Sequence, residues 1–163
     1  MRVSIMLAVV ALCATACGKS PGERLTEAAV SAATGQKVSV DKNGDKVTLT
    51  TDKGELKISG GDNATLPAGF PDDVYLPSGY KVESAMEMPD AMIVALQVPG
   101  QVAALSADAS RQMQAQGWKQ VMAMQPDGET RLLAFDKDKR NASLSFDHDG
   151  DRVRMSVQLS SKQ

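Results

Sequence analysis

Two methionine pairs, Met86-x-Met88 and Met122-x-Met124, each place two thioethers on one face of an extended strand. Soft thioether sulfur selects Cu(I) over harder cations, so type and spacing together suggest a soft-metal carrier. A mechanical account competes with that chemistry. The chain holds 9 methionines and only 4% aromatic residues, and methionine fills the irregular core gaps that aromatics would otherwise occupy. Both pairs fall on the alternating face expected to be buried, which favours core filling. His148 is the single histidine and sits in Asp147-His148-Asp149-Gly150-Asp151. A Ser-His-Asp triad needs its histidine in a cleft, whereas this Asp-Gly pattern marks the tip of a hairpin. Asp41-x-Asn43-Gly44-Asp45 and the segment around His148 also echo a calcium loop. An EF-hand needs glycine at its sixth position and glutamate at its twelfth. Here glycine comes fourth, and turn chemistry accounts for both segments. No catalytic residue, resident metal or cofactor is expected.

A different chemistry is written at the start of the chain. Met1 and Arg2 precede an apolar run from Val3 to Leu12, then Ala14-Thr15-Ala16-Cys17, then polar Gly18-Lys19-Ser20. Charged, apolar and small-residue segments in that order make a secretory signal peptide. With cysteine at the cut, the segment resembles the lipobox of bacterial lipoproteins. The resemblance implies removal of residues 1–16, lipidation of Cys17 by palmitate-type chains, and a tether to the cell envelope. It departs from the family at Ala14, where leucine is preferred. Two other readings stand beside it. A transmembrane anchor would need roughly 20 apolar residues, more than Val3 to Ala16 supply. A cleaved signal without lipid also fits, because Ala14-Thr15-Ala16 matches an A-x-A site. Under lipidation Cys13 leaves with the signal and Cys17 loses its thiol, so no disulfide forms. Gly18 in place of Asp implies, by enterobacterial-type sorting, the outer membrane facing the periplasm.

Bulk composition narrows the partners. There are 18 basic and 20 acidic residues in 163, and loss of Arg2 makes the balance one unit more acidic. Without a basic block there is no electrostatic footprint for nucleic acid and no polybasic patch for anionic lipid. The expected partners are the membrane, through the N-terminal lipid, and a protein of the envelope.

The mature chain divides into residues 17–59, 60–79 and 80–163. Ser20-Pro21-Gly22-Glu23 starts a helix with N-cap serine, N1 proline and a capping-box glutamate. Leu25, Ala28, Ala29, Ala32 and Ala33 form its apolar stripe, and Gly35 ends it. A three-stranded meander follows, with Val38, Val40, Val47, Leu49, Leu56 and Ile58 alternating with polar residues. About forty residues are near the lower limit for independent folding, so this unit must lean on something else. Residues 60–79 are a Pro/Gly connector whose Phe70, Val74, Tyr75 and Leu76 favour packing over a floppy tether.

Residues 80–163 are expected to fold as ββαββββ. The strands are 80–88, 92–98, 118–124, 130–135, 142–146 and 153–159, with a helix at 101–116. Val102, Leu105, Ala109 and Met113 form the inner face of that helix, and Gly117 caps it. The whole chain is thus read as α+β: a small helix–meander unit, then an antiparallel sheet on one long helix. In the last two strands Ser143, Ser145, Ser156 and Gln158 point outward as an uncharged candidate docking face.

Leu66-Pro67-x-x-Phe70-Pro71-x-Asp73-Val74 with its Pro-Ser-Gly turn, and Met113-Gln114-Ala115-Gln116-Gly117-Trp118, resemble segments of small proteobacterial lipoproteins. The strands around one long helix are also similar to helix-grip domains of outer-membrane assembly lipoproteins. Ala109 departs from the aromatic often found there. The family carries no catalytic residues to transfer, so the resemblance implies fold alone. The expectation is a non-catalytic binding or scaffolding accessory of the envelope. A Cu(I) or apolar-ligand carrier is the alternative, and a hydrolase the third.

Overall fold

Alternation of apolar and polar side chains builds every strand, because successive residues of an extended chain point to opposite faces. The computed structural model describes residues 37–41, 46–52 and 54–161. Cys17, the helix expected from Ser20 and the Asn43-Gly44 turn lie outside the described residues. Three strands come first: β1 (Lys37–Val40), β2 (Lys46–Thr51) and β3 (Gly54–Gly60). After the connector come β4 (Lys81–Met88), β5 (Ala91–Pro99) and helix α1 (Val102–Ala115). The chain ends with β6 (Lys119–Met124), β7 (Thr130–Lys137), β8 (Arg140–Asp149) and β9 (Arg152–Ser161).

All nine strands form one antiparallel sheet in the order β1-β2-β3-β4-β5-β9-β8-β7-β6. The described chain is therefore mostly β with one helix, and α+β holds only in that loose sense. A separate ββαββββ sheet is corrected by the pairing of β3 with β4, which sets Ile58 opposite Met86 and Ser59 opposite Ala85. The physical reason is edge satisfaction. β3 and β4 would each present a row of unpaired N–H and C=O groups, and pairing closes both rows.

The core lies on the side of the sheet that carries α1, here the inner face. Val94, Leu96, Val98, Val153, Met155, Val157 and Phe146 have no solvent exposure. Burial of such side chains contributes about 1.5–3 kcal/mol each relative to exposure. Helix α1 lies against β6, β7 and β8 and buries Val102, Leu105, Ser106, Ala109 and Met113. It ends in a Schellman turn: Trp118 N–H donates to Met113 O at 3.0 Å and Gly117 N–H to Gln114 O at 3.0 Å. Gly117 adopts φ +85°, a conformation glycine takes without penalty.

The helix does not reach β4 and β5, and the connector covers what it leaves. Val74 and Tyr75 are buried, and Leu66, Phe70 and Leu76 pack against the same cluster. Residues 61–80 thus form a strap over the core.

Polarity changes sides along the sheet. In β1 to β3 the apolar residues Val38, Val40, Val47, Leu49, Leu56 and Ile58 share the face opposite α1, as their register with Met86 shows. Lys57, on the other face, lies opposite Glu87 with their charged groups 3.7 Å apart.

Candidate functional site

Register assembles the four polar residues singled out above. Ser143 lies opposite Gln158 and Ser145 opposite Ser156 across β8 and β9. On β7, Ala134 lies beside Ser143 and Leu132 beside Ser145. On β6, Met122 lies beside Ala134 and Met124 beside Leu132. Each register row therefore runs from a methionine through aliphatic carbon to neutral polar groups. One of them continues through Ile93, Met86, Ile58, Val47 and Val40, across all nine strands, without a charged side chain.

The outer face of β6 to β9 is shallow, with a depression of about 170 Å³ among Met122, Leu132, Ser143, Ser145, Ser156 and Gln158. Charges appear only in the flanking rows. Arg154 lies opposite Asp147, and it bonds Asp149 at 2.7 Å. At the other end Asp136 lies opposite Lys119. Serine hydroxyls and a glutamine amide both donate and accept hydrogen bonds, so such a face can match a partner's backbone or polar side chains without an ion pair. His148 cannot serve these serines. It lies opposite Val153, on the inner-face side of the ladder, and is exposed at the β8–β9 hairpin end.

The methionine pairs do not meet. Met86 and Met88 are on β4, half-buried, whereas Met122 and Met124 are on β6. Strands β5, β9, β8 and β7 stand between them, about 24 Å at the usual strand spacing. The expectation that both pairs are buried in the core is corrected. Met122 is 40% exposed and Met124 50% exposed. A register shift between Gln120 and Met122 aligns both with Ala134 and Leu132 on the outer face, away from α1. The methionines that do fill the core are Met113 and Met155, neither with any exposure.

A polar knot at the strap was not legible as a site. Asp73 accepts hydrogen bonds from Arg140 at 2.9 and 2.6 Å and from Lys137 Nζ at 2.7 Å. The Arg140 guanidinium is the main cause that draws the Asp73 carboxyl down to a pKa of about 2, against partial desolvation and with help from Lys137. Arg140 also lies 4.8 Å from the centroid of the Trp118 ring. Trp118 Nε1 donates to Asp73 O at 2.8 Å, and Tyr75 N–H donates to Met113 Sδ at 3.2 Å. Lys137 Nζ further donates to Gln116 O at the end of α1. The signal was present in part. Asp73 and Trp118 each belong to a segment that carries the lipoprotein resemblance, and the fold brings those segments into contact.

Among the described residues no group of three or more His, Cys, Asp and Glu is arranged to hold a metal ion. No described helix is long and apolar enough to cross a membrane. Neither protein-family models nor curated proteins match the chain. Among solved structures it is similar to cyanobacterial PsbP (CyanoP) from Synechocystis sp. PCC 6803, in solution. Identity is 12% over 78% of this chain and 81% of that chain, with a TM-score of 0.38. The likeness is distant.

Proposed function

We propose that the chain is a lipid-anchored envelope protein, of the small proteobacterial lipoprotein type, that works by holding another protein and not by catalysis. Residues 1–16 direct export, Cys17 receives the lipid, and the outer membrane facing the periplasm is the destination. The folded part offers the outer face of β6 to β9 to a protein of the envelope.

The observation that carries this reading is the register of β7, β8 and β9, which gathers Ser143, Ser145, Ser156 and Gln158 into one uncharged patch. Protein interfaces of moderate strength are polar at the rim and depleted of charge at the centre, and this face has that distribution.

Two experiments test the two halves. Cys17→Ser should release the protein from envelope membranes and abolish the acyl mass increment; unchanged attachment removes the anchor. A photo-crosslinking residue at Ser145 should yield a discrete protein adduct in intact cells, whereas one at Lys57, on the opposite side of the sheet, should not. Equal labelling at both positions removes the docking face.

A further inference from the structure

The large apolar side chains left exposed among the described residues all lie on one strand. They are Val121 (53% exposed), Met122 and Met124. That strand is β6, the last in the sheet, so among the described residues no strand lies beside one side of its backbone. Only another extended segment can meet such a row of N–H and C=O groups in a regular ladder. Edges kept free of partners commonly carry lysine, proline or an inward charge in mid-strand. Gln120 to Met124 contains none of these. The bulge is confined to Val121 and leaves Met122 to Met124 in unbroken register with β7.

Charge selects the occupant. β6 begins at Lys119, and the turn after it carries Asp127 and Glu129, all exposed. None of the three makes an ion pair among the described residues. The edge is therefore basic where it starts and acidic where it ends. A two-fold axis perpendicular to the sheet makes two copies of an edge run antiparallel, so each basic end meets the other copy's acidic end. With the axis at Ala123, Met122 of one copy faces Met124 of the other, and Lys119 lies toward the turn that carries Asp127 and Glu129. Parallel pairing would set like charges together.

We propose that β6 is a docking edge for a second copy of this chain, paired antiparallel about Ala123. One six-residue edge buries less than the roughly 1,200 Å² of a stable interface, so the pair is weak and concentration-dependent. It uses the backbone edge of β6, whereas the contact proposed above uses the outer face, to which Met122 and Met124 also belong.

The test uses the full chain, detergent-solubilised, as an equal mixture of isotopically light and heavy copies. Carbodiimide coupling should join Lys119 of one isotope to Asp127 or Glu129 of the other. Sedimentation equilibrium should show a monomer–dimer equilibrium. Val121→Lys and Met124→Lys, both at exposed positions and checked for unchanged circular dichroism, should raise its dissociation constant roughly tenfold. Lys119→Asp should weaken the pair, and Lys119→Asp with Asp127→Lys should restore it. A monomer at every concentration, or a dimer insensitive to these changes, overturns the proposal. So do mixed-isotope links confined to other residues.

Discussion

Trp118 donates its indole N–H to the backbone carbonyl of Asp73 across 45 residues of chain, at 2.8 Å. The bond ties the residue just past the end of α1 to the strap that closes the other half of the core. Arg140 completes the arrangement, paired with the Asp73 carboxylate and stacked on the Trp118 ring. Strap, helix end and the β7–β8 hairpin are thereby held at one point.

Trp118 is the only tryptophan, and it is 2% exposed. Its fluorescence should be blue-shifted and resistant to iodide quenching. Asp73→Ala removes the partners of Arg140 and Lys137 and should cost about 2 kcal/mol in urea unfolding. The same variant should red-shift the emission, because a loosened strap admits water to the ring. An unshifted spectrum with unchanged stability would mean that Asp73 does not hold the strap.

The pH dependence of that knot has a definite sign. The Asp73 carboxyl is held at about 2, below the ordinary 3.8, chiefly by Arg140. A depressed carboxylate stabilises the fold fully above the unfolded value and loses that contribution as pH falls toward the folded one. The stability gap between the natural chain and Asp73→Asn should therefore be constant above about pH 5. It should shrink by up to about 2 kcal/mol between pH 4 and pH 2. Comparing the two proteins cancels the titration of the other carboxylates. A gap that widens on acidification would contradict the arrangement.

Methionine replacements should separate by strand face. Met113→Ala and Met155→Ala empty sites with no solvent exposure and should each cost about 2–5 kcal/mol. Met122→Ser and Met124→Ser act at exposed positions and should stay within about 0.5 kcal/mol. Because four strands separate the two methionine pairs, Cu(I) titration should show no binding tighter than about micromolar. Tighter binding lost in Met122→Ser would revive the carrier.

Gly117→Ala should destabilise by about 1–2 kcal/mol, because φ +85° sets a Cβ against the carbonyl of its own turn. Space is not the obstacle: the nearest side-chain atom to that Cβ is Lys137 Cε at 3.7 Å. A thermal melt reads the difference, and Gly117→Asn should lose less than the alanine variant.

Residues within a few positions of one another settled much of the secondary structure. Pro99-Gly100 and Gly117 bracket a stripe at Val102, Leu105, Ala109 and Met113, and α1 spans Val102–Ala115 with those residues buried. Alternation at Ser143, Ser145, Ser156 and Gln158 likewise told their common face, since the period of a strand is local. The same rule misplaced Met122 and Met124, because one extra residue at Val121 reverses every side chain beyond it.

Sequence alone determined where α1 and the described strands lie and, the bulged β6 aside, which of their faces are apolar. Those properties depend on neighbours three or four residues away. Tertiary structure alone decided that β3 pairs with β4, so that one sheet carries its apolar side on opposite faces at its two ends. It also decided that Asp73 meets Trp118 and that β6 is left at the edge. Such outcomes compare whole alternative pairings, and their energies come from hydrogen-bond ladders and buried area that form only when distant segments meet.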